Sequence, residues 1–140
     1  MIRMLVSAAL AIVVLPLSGA AQPSPENPPA MGVCQPFEND NAGSVAKASW
    51  TFDDASGEGV AKVTASYGDE YDGVVVGMRP HIDWFKFTIR FTDRFDKLND
   101  LTIFYAVGEY RMGVVSFDLV DGERYVSSIS AFQPAQCLTQ

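Results

Sequence analysis

The residues of this chain with the most chemistry in them are a single histidine, two cysteines, clustered carboxylates and a run of spaced cations. His81 is the only histidine. A hydrolytic triad needs a nucleophile, a histidine base and an orienting carboxylate. Serines and aspartates are plentiful, but no serine stands in a G-x-S-x-G elbow. His81 follows Pro80 at the entrance to an apolar run, a place that suits a surface residue better than a base. Two carboxylates can cleave a glycosidic bond without histidine. Asp83 is the candidate for that work, because it falls in the otherwise apolar set of an alternating stretch. The acidic runs Asp53 to Glu58 and Asp69 to Asp72 offer oxygen ligands for calcium, yet neither follows the EF-hand register, and both read as solvated turns. Two cysteines and one histidine cannot complete a four-ligand structural zinc site without a carboxylate. No metal or cofactor is therefore expected.

The cations carry more pattern. Lys86, Arg90 and Arg94 recur every fourth residue, with Thr88 and Thr92 between them. On one continuous strand they would form a ladder with a spacing of about 13 Å. With Trp84 as an aromatic anchor at its end, the ladder is the candidate binding face, suited to an anionic ligand or partner. The same side chains would also serve as cross-strand partners for acids such as Asp118. Trp84 and Tyr125 are the aromatic residues best placed to stack on sugar rings. No glycine-rich phosphate loop or basic-aromatic nucleic-acid motif is present.

These residues must be held by an element, and Ile82 to Phe91 (I-D-W-F-K-F-T-I-R-F) defines it. Side chains on a strand alternate sides. Phe85, Phe87, Ile89 and Phe91 fall on one side, and Trp84, Lys86, Thr88 and Arg90 on the other. That is a strand with one face in a core and one in water. Burying the four apolar side chains is worth roughly 1.5–3 kcal/mol each before entropy is charged against it. Ser44 to Phe52 and Val60 to Tyr67 alternate around the turn-rich Asp53 to Gly59, which predicts a hairpin. Val74 to Met78 and Leu101 to Val107 are further strands. Thr92 to Asp100 is polar and turn-like, with room for one helical turn capped by Thr92 or Asp93. Gly113 to Val120 and Glu123 to Phe132 flank Asp121-Gly122, the pair that a type I′ hairpin turn demands. In that register Phe117 faces Val126 and Val114 faces Ile129. About seven strands with closely spaced turns and no helical period predict an all-β fold, a single antiparallel β-sandwich or small barrel.

The ends place the domain. Arg3, the uncharged stretch Met4 to Leu17, and the small residues Ser18 to Ala21 have the layout of a secretory signal peptide, with cleavage after Ala20 or Ala21. Residues 1–21 are thus expected to be removed and residues 22–33 to form a Pro-rich tail, since Gln22 to Ala30 holds four prolines in nine residues. Residues 34–140 are expected to make one β domain. Export implies an oxidising compartment, secreted or periplasmic, in which Cys34 and Cys137 would pair. Without Arg3, nine basic residues face seventeen acidic ones, a net charge of about −8. Such a surface disfavours nucleic acid and anionic membrane. The expectation is a binding module, not an enzyme, that takes a protein or glycan partner outside the cytoplasm. A hydrolase built on Asp83 and a structural surface component are the alternatives.

Overall fold

The computed structural model describes residues 29–37, 44–53 and 58–140. The expected signal segment and the acidic turn at residues 54–57 lie outside them. Nine antiparallel strands follow one another: β1 (Met31–Pro36), β2 (Val45–Phe52), β3 (Gly59–Ala65), β4 (Glu70–Pro80), β5 (Trp84–Thr92), β6 (Leu98–Ala106), β7 (Glu109–Val120), β8 (Glu123–Ile129) and β9 (Gln133–Thr139). There is no helix among the described residues. Neighbouring strands pair from β1 round to β7, β9 joins β7 to β1, and the sheet closes into an eight-stranded barrel. β8 is the extra strand, paired along the far half of β7. Of the two architectures expected from sequence, the chain adopts the barrel.

The alternation of β5 decides where the core lies. Phe85, Phe87 and Ile89 are fully buried and Phe91 nearly so. They meet Trp50, Val63, Leu101, Ile103, Met112 and Val114 from the other walls. β5 begins at Trp84, so Asp83 belongs to the exposed β4–β5 connection and is not in the inward set.

Several boundaries differ from the sequence expectation, each for a local reason. β4 starts at Glu70 and absorbs the acidic residues expected in a loop, because Asp72 lies outward opposite Lys62, 3.6 Å from its ammonium. β6 starts at Leu98, with no helical turn before it. Asp93 instead folds the β5–β6 connection into a tight turn, its Oδ1 accepting from the backbone N–H groups of Phe95 (2.9 Å) and Lys97 (3.1 Å). β7 starts at Glu109, so the β6–β7 turn is only Val107-Gly108. The turn at Asp121-Gly122 has positive φ at both residues (51° and 79°), as a type I′ turn requires. Phe117 faces Val126 as expected, but a bulge at the next position moves the partner of Ile129 from Val114 to Val115.

Two strands were not foreseen. β1 starts at Met31, inside the segment expected to be tail, and β9 starts one residue before Pro134. They pair with each other and complete the barrel. Cys34 and Cys137 lie directly opposite across that pairing, their Cα atoms 4.1 Å apart, and form the expected disulfide. Gly32 opposes Trp50, and a Cβ on it would stand 2.5 Å from the indole ring. The indole thus occupies space that any larger residue at position 32 would claim.

Candidate functional site

The cationic face is assembled in part. Trp84, Lys86 and Arg90 share the outer side of β5. Arg90 is bound on that face: Nε and Nη2 donate to the two carboxylate oxygens of Asp100 across β6, at 2.8 and 3.0 Å. These hydrogen bonds hold its pKa above the ordinary guanidinium value, against the lowering effect of burial. Arg94 leaves the ladder altogether. β5 ends at Thr92, and Arg94 sits in the following turn, 3.4 Å from Asp69 and 4.5 Å from the centroid of the Tyr67 ring. Asp118, the acid expected opposite the ladder, lies 3.7 Å from Lys97 instead.

Around Trp84 and Lys86 the barrel adds residues that were not singled out for this face. Arg79, Lys86, Phe104 and Arg111 are successive partners across β4, β5, β6 and β7, so they form one row on the outer wall. Arg111 lies 3.6 Å from Glu109. Arg79 and Lys86 have no carboxylate within ion-pair distance among the described residues. Along the same wall the aromatic rings connect. The backbone N–H of His81 donates to the carbonyl of Trp84 (2.8 Å) and closes the β4–β5 connection. This sets the imidazole parallel to the indole, with centroids 4.9 Å apart and planes within 8°. Trp84 then meets Phe104 at 5.8 Å, and Phe104 meets Phe132 at 6.2 Å. The ammonium of Lys86 lies 5.9 Å from the indole centroid. Strand parity alone turns Phe104 outward, opposite Leu101, Ile103 and Tyr105. Arg79 needs the register shift between Val76 and Arg79, which parity does not supply. Phe132 needs the path between β8 and β9. Tyr125, the second possible sugar platform, is exposed on β8 and hydrogen-bonds Glu123 (2.9 Å), apart from this strip.

The two ends of the barrel differ. One end is filled by rings: Trp50 and Phe52 pack on Phe87, and Phe85, Tyr105 and Tyr110 pack on one another. The indole Nε1 of Trp50 donates to the carbonyl of Pro29 (3.4 Å). The Tyr110 hydroxyl is buried without a hydrogen-bond partner among the described residues. Burial pushes its pKa up to about 12, with the Thr139 side chain acting the other way. The opposite end opens into a cleft of about 350 Å³. Val45, Val63, Phe91 and Val114 lie buried at its base, Phe95 and Ile129 supply exposed apolar walls, and serines at 116, 128 and 130 with Tyr67 and Tyr71 supply hydroxyls. Sequence reading missed this cleft. Its residues come from seven segments, and no spacing along the chain brings them together.

Among the described residues no group of three or more histidine, cysteine or acidic side chains converges as a metal site. Asp83 stands exposed on its connection. No family model, curated protein or solved structure matches the chain.

Proposed function

We propose that this is an exported binding module whose outer wall, from β4 to β7, holds a glycan. What carries the reading is the strip of rings His81, Trp84, Phe104 and Phe132 on the solvent side of the sheet. Rings on that side have no part in the barrel core, and flat apolar rings exposed together with flanking polar groups are what binding surfaces present. The C–H faces of pyranose rings fit such a strip. Arg79 and Lys86 stand beside it with donors to spare, so carboxylated or sulfated sugars are favoured over neutral ones. The signal-like N-terminus supports export, and the Cys34–Cys137 disulfide is compatible with an oxidising compartment.

Affinity electrophoresis tests this directly. The oxidised protein is run through gels containing an acidic polysaccharide such as polygalacturonate, and through gels without it. Retardation is expected, and Trp84→Ala should weaken it about tenfold, equivalent to about 1.4 kcal/mol. Arg79→Ala with Lys86→Ala should weaken the acidic polysaccharide selectively. Equal mobility of wild type and Trp84→Ala in every gel would end the glycan reading. Stoichiometric capture of one extracytoplasmic protein, lost in the same variants, would replace it with a protein partner on the same wall.

A further inference from the structure

The open end of the barrel is separate from the outer wall and has its own chemistry. Eight strands enclose an interior that side chains either fill or leave wide enough for one small ligand. Here both solutions occur in one barrel. Aromatic rings fill one end, and the other end keeps a cleft of about 350 Å³, within the size range of small-molecule sites.

The polar groups of the cleft are fixed before any ligand arrives. Asn99 is buried at 5% exposure. Its amide nitrogen donates to Asp93 Oδ2 (3.1 Å) and to the Lys97 carbonyl (3.0 Å), and its amide oxygen accepts from Ser116 Oγ (2.6 Å). Asp93 therefore receives three hydrogen bonds, counting those from the backbone of Phe95 and Lys97. The ammonium of Lys97 turns to Asp118. At the rim, Tyr71 donates its one proton to Asp69 (3.3 Å), so in the 2.9 Å contact between the two phenols Tyr67 is the donor. The bond to Tyr71, with desolvation, lifts the Tyr67 phenol to about 12 and keeps it neutral at physiological pH. Asp93 is thus engaged by hydrogen bonds, Lys97 by Asp118 and Arg94 by Asp69, so an ionic ligand would have to displace an existing partner. What remains open is hydroxyl capacity: acceptor sites on Tyr67 and Ser116, and the Ser128 hydroxyl, which has no hydrogen-bond partner among the described residues.

We propose that the open end of the barrel binds a small uncharged amphiphile, its apolar body against Phe95, Ile129 and the edge of Phe91 and a hydroxyl or N–H head donating to the rim oxygens. A matched pair of fluorescent probes tests this on the oxidised full-length protein. N-phenyl-1-naphthylamine has an apolar body, one N–H donor and no charge, and 1-anilinonaphthalene-8-sulfonate is the same skeleton with an added anion. The neutral probe should bind saturably at one site, and the sulfonate at least tenfold more weakly. Ser128→Trp, at an exposed rim position that leaves the core intact, should weaken the neutral probe at least tenfold without lowering the melting temperature. Val126→Ser on the same strand, outside the cleft, and Trp84→Ala on the outer wall should leave it unchanged. Equal binding of the two probes, no saturable binding, or a neutral-probe affinity untouched by Ser128→Trp would overturn the proposal. Loss on Val126→Ser would assign the probe to the exposed hairpin, with the same result. The outer-wall function stands or falls on Trp84 and is read independently.

Discussion

At the scale of single residues, the least comfortable group in the core is the Tyr110 hydroxyl. It is buried, has no hydrogen-bond partner among the described residues, and its pKa is raised to about 12 by burial. An unsatisfied buried hydroxyl costs about 1–3 kcal/mol. Tyr110→Phe keeps the ring contacts with Phe85 and Tyr105 and should stabilise the barrel by about 1 kcal/mol in urea denaturation. The alkaline sign follows from linkage. The folded state holds the phenolic proton more tightly than the unfolded chain, whose phenol keeps the ordinary value of 10.0. The contribution is complete below that value and is lost as pH climbs through 12. Wild type should therefore lose stability across this window faster than Tyr110→Phe, as melting temperatures at stepped pH would show. The residue scale also marks a limit of sequence reading. That Arg90 would meet a carboxylate across the sheet was legible from strand parity and charge. That the carboxylate is Asp100 was not, because the acid lies in a stretch expected to be turn.

At the scale of elements, legibility followed local pattern. β5 and the β7–β8 hairpin were readable because strict alternation and an Asp-Gly turn each have one geometric solution. The hairpin was right at Phe117 and one residue off at Ile129, since nothing in E-R-Y-V-S-S-I announces a bulge. β1 and β9 were invisible, being short, lacking alternation and containing proline, and their strand character comes from pairing partners far away in the chain. The cleft shares that origin. The outer ring strip was half legible, through Trp84 and Lys86, and its remainder depended on cross-strand register. One turn carries a testable strain. Val107 sits at φ 54°, a left-handed conformation that a β-branched residue adopts at a cost, and its side chain is 95% exposed. Val107→Asn should raise stability by about 1 kcal/mol by relieving that cost without disturbing any packing. A melting temperature unchanged or lowered would show that the turn tolerates valine freely.

At the scale of the whole molecule, the barrel is a meander whose closing pair joins the first and last strands. The disulfide sits on that pair and spans 103 residues of chain. In the chain-entropy model such a loop is worth about 4–5 kcal/mol. Cys34→Ala with Cys137→Ala should lower the unfolding free energy by about 3–5 kcal/mol, measured by denaturant melts against the oxidised parent. Because β1 and β9 each hold a second neighbour, β2 and β7, the variant should still fold, with the loss concentrated on the closing pair. Hydrogen exchange should rise first in residues 31–36 and 133–139. Equal protection in wild type and variant at those amides would show that backbone pairing alone holds the barrel shut.

That closing pair also sets the order of events in time. Its two strands are the most distant in sequence, so their contact raises the contact order and slows folding towards the millisecond-to-second range of other non-local β proteins. A nascent chain cannot complete the barrel until β9 has left the ribosome. The β1–β9 pairing that locks the structure therefore becomes possible only after β1 to β7 can already have formed, and the Cys34–Cys137 bond can secure it only then.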